Sequence, residues 1–336
     1  MSTLYVTENG AQVHKENERL VIRKGTETLD DVPLIKLDRV VLVGQGVSLT
    51  TPAMYALTQR SIDVVYLRRG GGFGFRMSGA GHKHARLRYQ QTLQVSRTEV
   101  ALAIAQAIVA GKIRNQRTLV MRHAREAGDL RRVQPALDLM STLQTQAAQT
   151  TTLDELRGME GKAAAEYFGL FRQLLADPMG FERRVYYPPP DPLNALLSFG
   201  YTLLLSEVES AAQMAGLDPA LGVLHAIDYG RPSLALDLEE EFRAAIVDSV
   251  VLQAVNGGLI KRDDFVMADA QKGWRLQDEA RGKFLTLYEA RLHTDIEYPF
   301  PQPQRTSWRR VLLLQAQLMA RVFLGEVKSY WPMEIR

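Results

Sequence analysis

Apolar positions divide the chain into two regimes. Over residues 1 to 85 they come in short runs between polar punctuation: LYVTENGAQV, RLVIRK, PLIKL, RVVLVG and IDVVYLR read as β-strands rich in β-branched and aliphatic residues. Asn9-Gly10 separates two such stretches and predicts a tight hairpin, since both residues tolerate positive φ. TPAMYALTQR has helical spacing and predicts a crossover helix before the last strand. RRGGGFGFRMSGAGHKH follows. Its glycines fit neither the dinucleotide fingerprint nor the phosphate-binding loop, so the stretch reads as a β-hairpin tip and linker.

From about residue 86 the period becomes helical. ARLRYQQTLQVSRTEVALAIAQAIVAGKIRNQRTLVMRHAREAG holds apolar residues at helical spacing over several turns. Further helices are predicted over 153 to 175, 193 to 216, 218 to 227, 233 to 256, 277 to 292 and 306 to 325, with YYPPPDP breaking the series at 186 to 192. SYWPMEIR at the end is expected to be a mobile tail. No repeat of fixed period appears. The expected architecture is α+β: a small N-terminal β domain over 1–85, then a larger all-α domain over 86–330.

Within this pattern a few polar groups stand where apolar ones are expected. Thr152 and Glu155 form a predicted capping box, after which Leu153, Leu156, Ala163, Ala164, Tyr167, Phe171 and Leu174 mark one apolar face. Glu160 falls on that face, between Gly158 and Gly161, each costing a helix roughly 1 kcal/mol relative to alanine. Small residues there would let a backbone or ligand come close; a partly exposed or paired glutamate is the plainer reading. His225 ends an apolar run after Asp218-Pro219, which reads as an N-cap and first helical position. In LALDLEEEFRAAIVDSVV the stripes Leu238, Phe242, Ala245, Val250 and Leu236, Ala244, Val247, Val251 cover much of a helix, which should therefore be buried. Glu240 lies on the second stripe and Asp237 one turn earlier on the same side. Two buried carboxylates so placed repel unless a cation or proton intervenes; the alternative is a solvated acidic face near a helix start.

Composition narrows the chemistry. The 336 residues include no cysteine, which removes disulfides, thiolate zinc sites and cysteine nucleophiles, so any metal must be held by oxygen and imidazole. Carboxylates with a single histidine suit Mn²⁺ or Mg²⁺ better than zinc. The net charge is only +3, but Arg68, Arg69, Arg76, Lys83, Arg86 and Arg88 cluster with His82 and His84, and Lys112, Arg114, Arg117, Arg122, Arg125, Arg131 and Arg132 follow. That density fits a polyanion such as DNA and equally a solvated helix face. No secretory signal is visible, and the longest apolar run, Val100 to Ala110, is well short of the roughly 20 residues of a membrane span, so the expectation is a cytoplasmic chain with no membrane partner.

Four segments in register carry a family resemblance: AIVAGKIRNQR, RGMEGKAAAEYF, PPPDPLNALLSFGYTLL and GVLHAIDYGRPSLALDLEEEFR. From Leu4 to at least Phe323 the chain resembles the CRISPR-associated adaptation integrases, the Cas-one family. The resemblance puts the family's metal ligands on Glu160, His225 and Glu240, with the accompanying acidic catalytic position at Asp237. Glu241 stands where the family commonly has proline, and the spacing to Phe242-Arg243 selects Glu240. It implies a metal-dependent DNA endonuclease and integrase that inserts short foreign fragments into a CRISPR repeat array by 3′-hydroxyl attack on a phosphodiester. It further implies a homodimer formed through the β domains and a small Cas-two partner. A non-catalytic DNA-binding scaffold with a structural acidic cluster, and a repair nuclease acting on branched DNA, are the competing readings.

Overall fold

The computed structural model describes residues 3–60, 62–68, 73–77, 84–269 and 273–335. The chain divides into two units, Met1–His82 and Lys83–Arg336. In the first, the strands β1 (Thr3–Val6), β5 (Arg39–Val43), β7 (Asp63–Leu67) and β8 (Phe73–Met77) form one sheet in the order β1-β5-β7-β8. A second sheet has the order β4-β3-β2-β6, from β2 (Gln12–Glu16), β3 (Arg19–Lys24), β4 (Glu27–Pro33) and β6 (Ser48–Leu49). Both bury their aliphatic residues in one core that includes Leu4, Val6, Val13, Leu20, Ile22, Val40, Leu42 and Val64.

The expected crossover is present: α1 (Thr51–Gln59) joins the parallel strands β5 and β7. The expected hairpin at Asn9-Gly10 is not. β1 pairs with β5 and β2 with β3, so the turn passes the chain from one sheet to the other. Gly10 has φ +77°, as a turn glycine should, but its N–H bonds to Gln45 O at 3.0 Å and the Asn9 side chain accepts from Gln45 N. β8 returns antiparallel on β7. The glycine-rich tip between them and most of the following linker, residues 69–72 and 78–83, lie outside the described residues.

The second unit contains α2 (Ala85–Val95), α3 (Thr98–Glu126), α4 (Leu130–Ala147), α5 (Leu153–Leu174), α6 (Pro192–Met214), α7 (Ser233–Glu239), α8 (Ser249–Asn256), α9 (Asp278–His293) and α10 (Trp308–Phe323). It is mostly helical rather than all-α. Two antiparallel ribbons interrupt it: β9 (Phe265–Asp269) with β10 (Gly273–Leu276), and β11 (Asp295–Tyr298) with β12 (Gln304–Ser307). The long helical stretch after residue 86 bends by 93° between α2 and α3, and α4 was not foreseen. No single described helix is long and apolar enough to cross a membrane.

Three further expectations fail. Residues 218–227 are irregular rather than helical, because their free N–H groups are taken by the side chain of Asp237 and by Gln91. The segment 233–256 is broken by a turn over 240–242 and continues as a π-helix over Ala244–Asp248. The C-terminal stretch is packed, with Tyr330, Met333 and Ile335 buried. Thr152 caps α5 as expected, accepting from Glu155 N at 3.2 Å, but Glu155 reaches back to Thr151 rather than Thr152.

The π segment is held centrally. Gly200 of α6 lets it approach closely, since a Cβ there would lie 2.5 Å from Val247 Cγ1. Asp248 accepts from Tyr167 OH of α5 and Tyr201 OH of α6, both at 2.6 Å. Gly200→Ala should overpack this contact and destabilise the chain by about 1–3 kcal/mol, measured by urea unfolding. Burial raises the Asp248 carboxyl to about 6 against the opposing pull of the two phenols. Its unfolded value is ~3.9, so its protonation stabilises the fold below that value, and the contribution is lost as pH rises through the folded value. Asp248→Asn cannot titrate, so its unfolding midpoint relative to the native chain should improve from about pH 4 to about pH 7. A constant difference across that range would refute the assignment.

Candidate metal centre

Four elements of the second unit bring their polar groups together. The capped helix α5 presents Glu160 at the rim of its buried face, the turn after α7 presents Glu240, the irregular loop before α7 presents His225, and α3 presents Lys112. The loop is fixed from several sides. Arg157, one turn before Glu160, donates from Nε and Nη2 to Leu224 O at 3.1 and 2.7 Å, tying the loop to α5. Gly222 is required by close packing: a Cβ would lie 2.6 Å from the Ser233 carbonyl carbon and 2.7 Å from Asp237 Oδ2.

Asp237 sits behind the imidazole rather than beside Glu160. Its carboxylate accepts the N–H groups of Val223, Leu224 and His225 at 2.6, 3.0 and 2.9 Å, and lies 2.7 Å from His225 Nδ1. That contact puts the ring proton on Nδ1 and leaves the Nε2 lone pair facing Glu240 Oε1, 4.0 Å away. Thus Asp237 and Glu240 need no shared cation: backbone amides and a histidine answer the first, and different partners answer the second.

Glu240, 4% exposed, pairs through Oε1 with Arg243 at 2.7 Å and through Oε2 with Lys112 Nζ at 2.6 Å. The same ammonium bonds Glu160 Oε1. Burial acts to raise the Glu240 carboxyl, but Arg243 and Lys112 outweigh it and hold the group well below the usual carboxylate range. Lys112 is buried as well, which favours its neutral form, yet Glu240 and Glu160 keep its pKa raised. Glu239 bonds Arg243 at 3.0 Å, and its carboxyl is pushed up to about 7 by burial. Glu241 turns away from the site and is also fully buried. The three glutamates are therefore not a solvated acidic face.

The donor set suits a hard divalent ion. Two carboxylates share one ammonium, the oriented imidazole stands 4.0 Å from the second oxygen of Glu240, and Glu240 Oε2 accepts no directed hydrogen bond although the ammonium lies 2.6 Å away. As they stand, no three His, Asp or Glu side chains among the described residues close around one point, because the carboxylates turn onto Lys112. Gly158 and Gly161 do not admit a neighbouring backbone: both are exposed, and a Cβ at either would meet nothing within 4 Å.

Lys112 was read from sequence as one of a basic run. The overlooked signal is its place on the buried α3 stripe Ala105, Ile108, Asn115 and Leu119. Other members of the basic runs are also committed internally: Arg76 bonds Asp63 with two nitrogens and Arg117 donates to Leu137 O. Arg86, Arg88, Arg122, Arg125, Arg131 and Arg132 remain exposed. Arg69, His82 and Lys83 lie outside the described residues.

The profile of the family described as "CRISPR associated protein Cas1" matches residues 4–290. The chain is 39% identical over 340 positions to "CRISPR-associated endonuclease Cas1 3" of Thermus thermophilus, spanning 100% of this chain and 98% of that relative. Among solved structures, a chain of a "Cas6-RT-Cas1--Cas2 complex" matches with TM-score 0.81 and 27% identity, over 98% of this chain and 36% of that longer one. A "Casposase bound to integration product" matches with TM-score 0.85 over 100% of this chain and 95% of that one, at 22% identity, a likeness of fold alone. On the family match and the 39% identical relative, this chain belongs to the Cas1 family of CRISPR-associated endonucleases.

Proposed function

We propose that this chain is a cytoplasmic, divalent-metal-dependent DNA endonuclease and integrase that inserts short foreign DNA fragments into a CRISPR repeat array, by attack of a fragment's 3′-hydroxyl on a repeat phosphodiester. The observation that carries the reading is that Glu160 and Glu240 share one ammonium while His225 Nε2 stands 4.0 Å from the other oxygen of Glu240, in a chain matched from end to end by a Cas1 endonuclease. Glu160, His225 and Glu240 would hold Mn²⁺ or Mg²⁺, which supplies charge stabilisation at the phosphate and positions an oxygen nucleophile.

The chain's own groups prepare that chemistry. Asp237 keeps the imidazole proton on Nδ1, so Nε2 is free to donate its lone pair. Lys112 and Arg243 balance the carboxylates in a buried site, where electrostatic interactions are strengthened. The exposed arginines would hold DNA through its backbone rather than its bases. The N-terminal β unit would join two copies in a homodimer. A Cas2-like protein is the proposed partner, in keeping with the complex that contains the 27% identical chain.

One observation favours the scaffold reading: an ammonium bridging two carboxylates, with Arg243 on the second of them, already balances the pair, as in a structural acidic cluster. Substitution separates the two. Glu160→Ala, His225→Ala and Glu240→Ala should each reduce Mn²⁺-dependent cleavage and strand transfer to background while DNA retention on gels persists. A native chain that binds DNA but neither cleaves nor transfers strands with Mn²⁺ would leave the scaffold, and full activity in purified Glu160→Ala protein would remove Glu160 from the site. Asp237→Asn should lower strand transfer by about 10–100-fold, the usual effect of losing the partner of a ligating histidine. A native rate in that variant would show that the imidazole needs no such partner.

A further inference from the structure

The C-terminal segment is bound to the element that carries Glu240. Glu241 is fully buried and faces away from the metal locus. Its carboxylate accepts from Tyr330 OH, from Met333 N–H and from Gln315 Nε2 at 3.2 Å. Its carbonyl oxygen accepts from Asn115 Nδ2 at 2.7 Å. Asn115 also donates to Met333 O at 2.7 Å and accepts from Ile335 N at 2.9 Å. From α10, Gln315 Nε2 reaches Tyr330 OH at 2.9 Å and Trp331 O at 2.6 Å.

We propose that the segment Tyr330–Ile335 is a strap that positions Glu240 through its neighbour Glu241, so that the C-terminus is part of the catalytic apparatus; this rests on the metal-dependent function proposed above. The turn over 240–242 lies between α7 and the π segment, outside regular helix, so the helical ladder alone does not fix the direction of its side chains. A buried carboxylate needs hydrogen-bond partners, and two of the three side-chain partners of Glu241 belong to the strap. Asn115 stands one helical turn after Lys112 on the same buried face of α3, so a single helix sets the cation that pairs with Glu240 and the amide that grips both turn and strap. The seating is close: a Cβ at Gly111 would lie 2.5 Å from Pro332 Cβ. With the strap absent, Glu241 loses two of its three side-chain donors, the turn is held only by Gln315, Asn115 and its own backbone bonds, and Glu240 shifts relative to Glu160 and His225.

The test compares the native chain with one ending at Ser329 and with Tyr330→Phe, which removes a single strap hydroxyl. Mn²⁺ affinity by calorimetry should fall about 10–100-fold on truncation, as for lost outer partners of metal ligands, and by a smaller factor in Tyr330→Phe. The kcat of strand transfer should fall while KM for DNA holds, and the peptide SYWPMEIR added in trans should restore part of both affinity and kcat. A folded truncated chain with native Mn²⁺ affinity and kcat overturns the proposal. If truncation prevents folding, a Tyr330→Phe protein indistinguishable from native overturns it instead. Should the native chain itself bind no Mn²⁺, the metal-dependent function fails, and hydrogen exchange at the amides of Glu240 and Glu241 decides the strap. Faster exchange in the truncated chain supports it, and an unchanged rate sinks it.

Discussion

The helical unit is organised by the need to bury four carboxylates from five consecutive residues. Asp237, Glu239, Glu240 and Glu241 are all nearly inaccessible, and burying so many acidic groups is prohibitive unless each finds partners or holds its proton, as burial favours for Glu239 and Glu241 by raising their carboxyls to about 7 and about 8. Their partners come from several parts of the chain, with Arg243 shared by Glu239 and Glu240. Asp237 takes the amides and imidazole of the preceding loop, Glu239 takes Arg243, Glu240 takes Lys112 and Arg243, and Glu241 takes the C-terminal segment and α10. The acidic run thus acts as the hub on which α3, α10, the loop and the terminus are assembled.

Departure from regular helix is what makes this possible. Consecutive residues in an α-helix point about 100° apart on one rod, whereas the turn at 240–242 and the following π segment redirect the side chains. Glu240 then faces α5 while Glu241 faces the terminus. Asp248, anchored by Tyr167 and Tyr201, fixes the π segment to the helix that carries Glu160 and to the central helix α6. Arg243 stacks over the Tyr201 ring at 4.9 Å, so the guanidinium that neutralises Glu239 and Glu240 is itself held by the same packing. Site geometry and core packing are one network here.

Much of this was legible in the chain. The change from period 2 to period 3.6 placed the β unit and most helices, and Thr152 marked the start of α5 within a residue. Glu160, His225 and Glu240 stood out because polar groups interrupted apolar stripes. The losses have physical causes. Asp218-Pro219 has the local form of a helix start, but the amides that would build that helix bond instead to Asp237, which the chain reaches only after a loop. Asn9-Gly10 has the local form of a hairpin, but its flanking strands find better partners in two different sheets.

Local pattern therefore determined which segments are strands or helices, which faces are apolar and which carboxylates are out of place, since these follow from short-range sterics and hydrophobic periodicity. Only the tertiary structure decided what those carboxylates meet. Lys112 looks like one more member of a basic helix until folding brings it to Glu160, 48 residues away, and to Glu240. Likewise SYWPMEIR has no pattern of its own and becomes ordered through Asn115, Glu241 and Gln315, donors and acceptors supplied by distant helices. Pairings of that kind depend on chain-distant positions converging, and no periodicity in a single sequence records them.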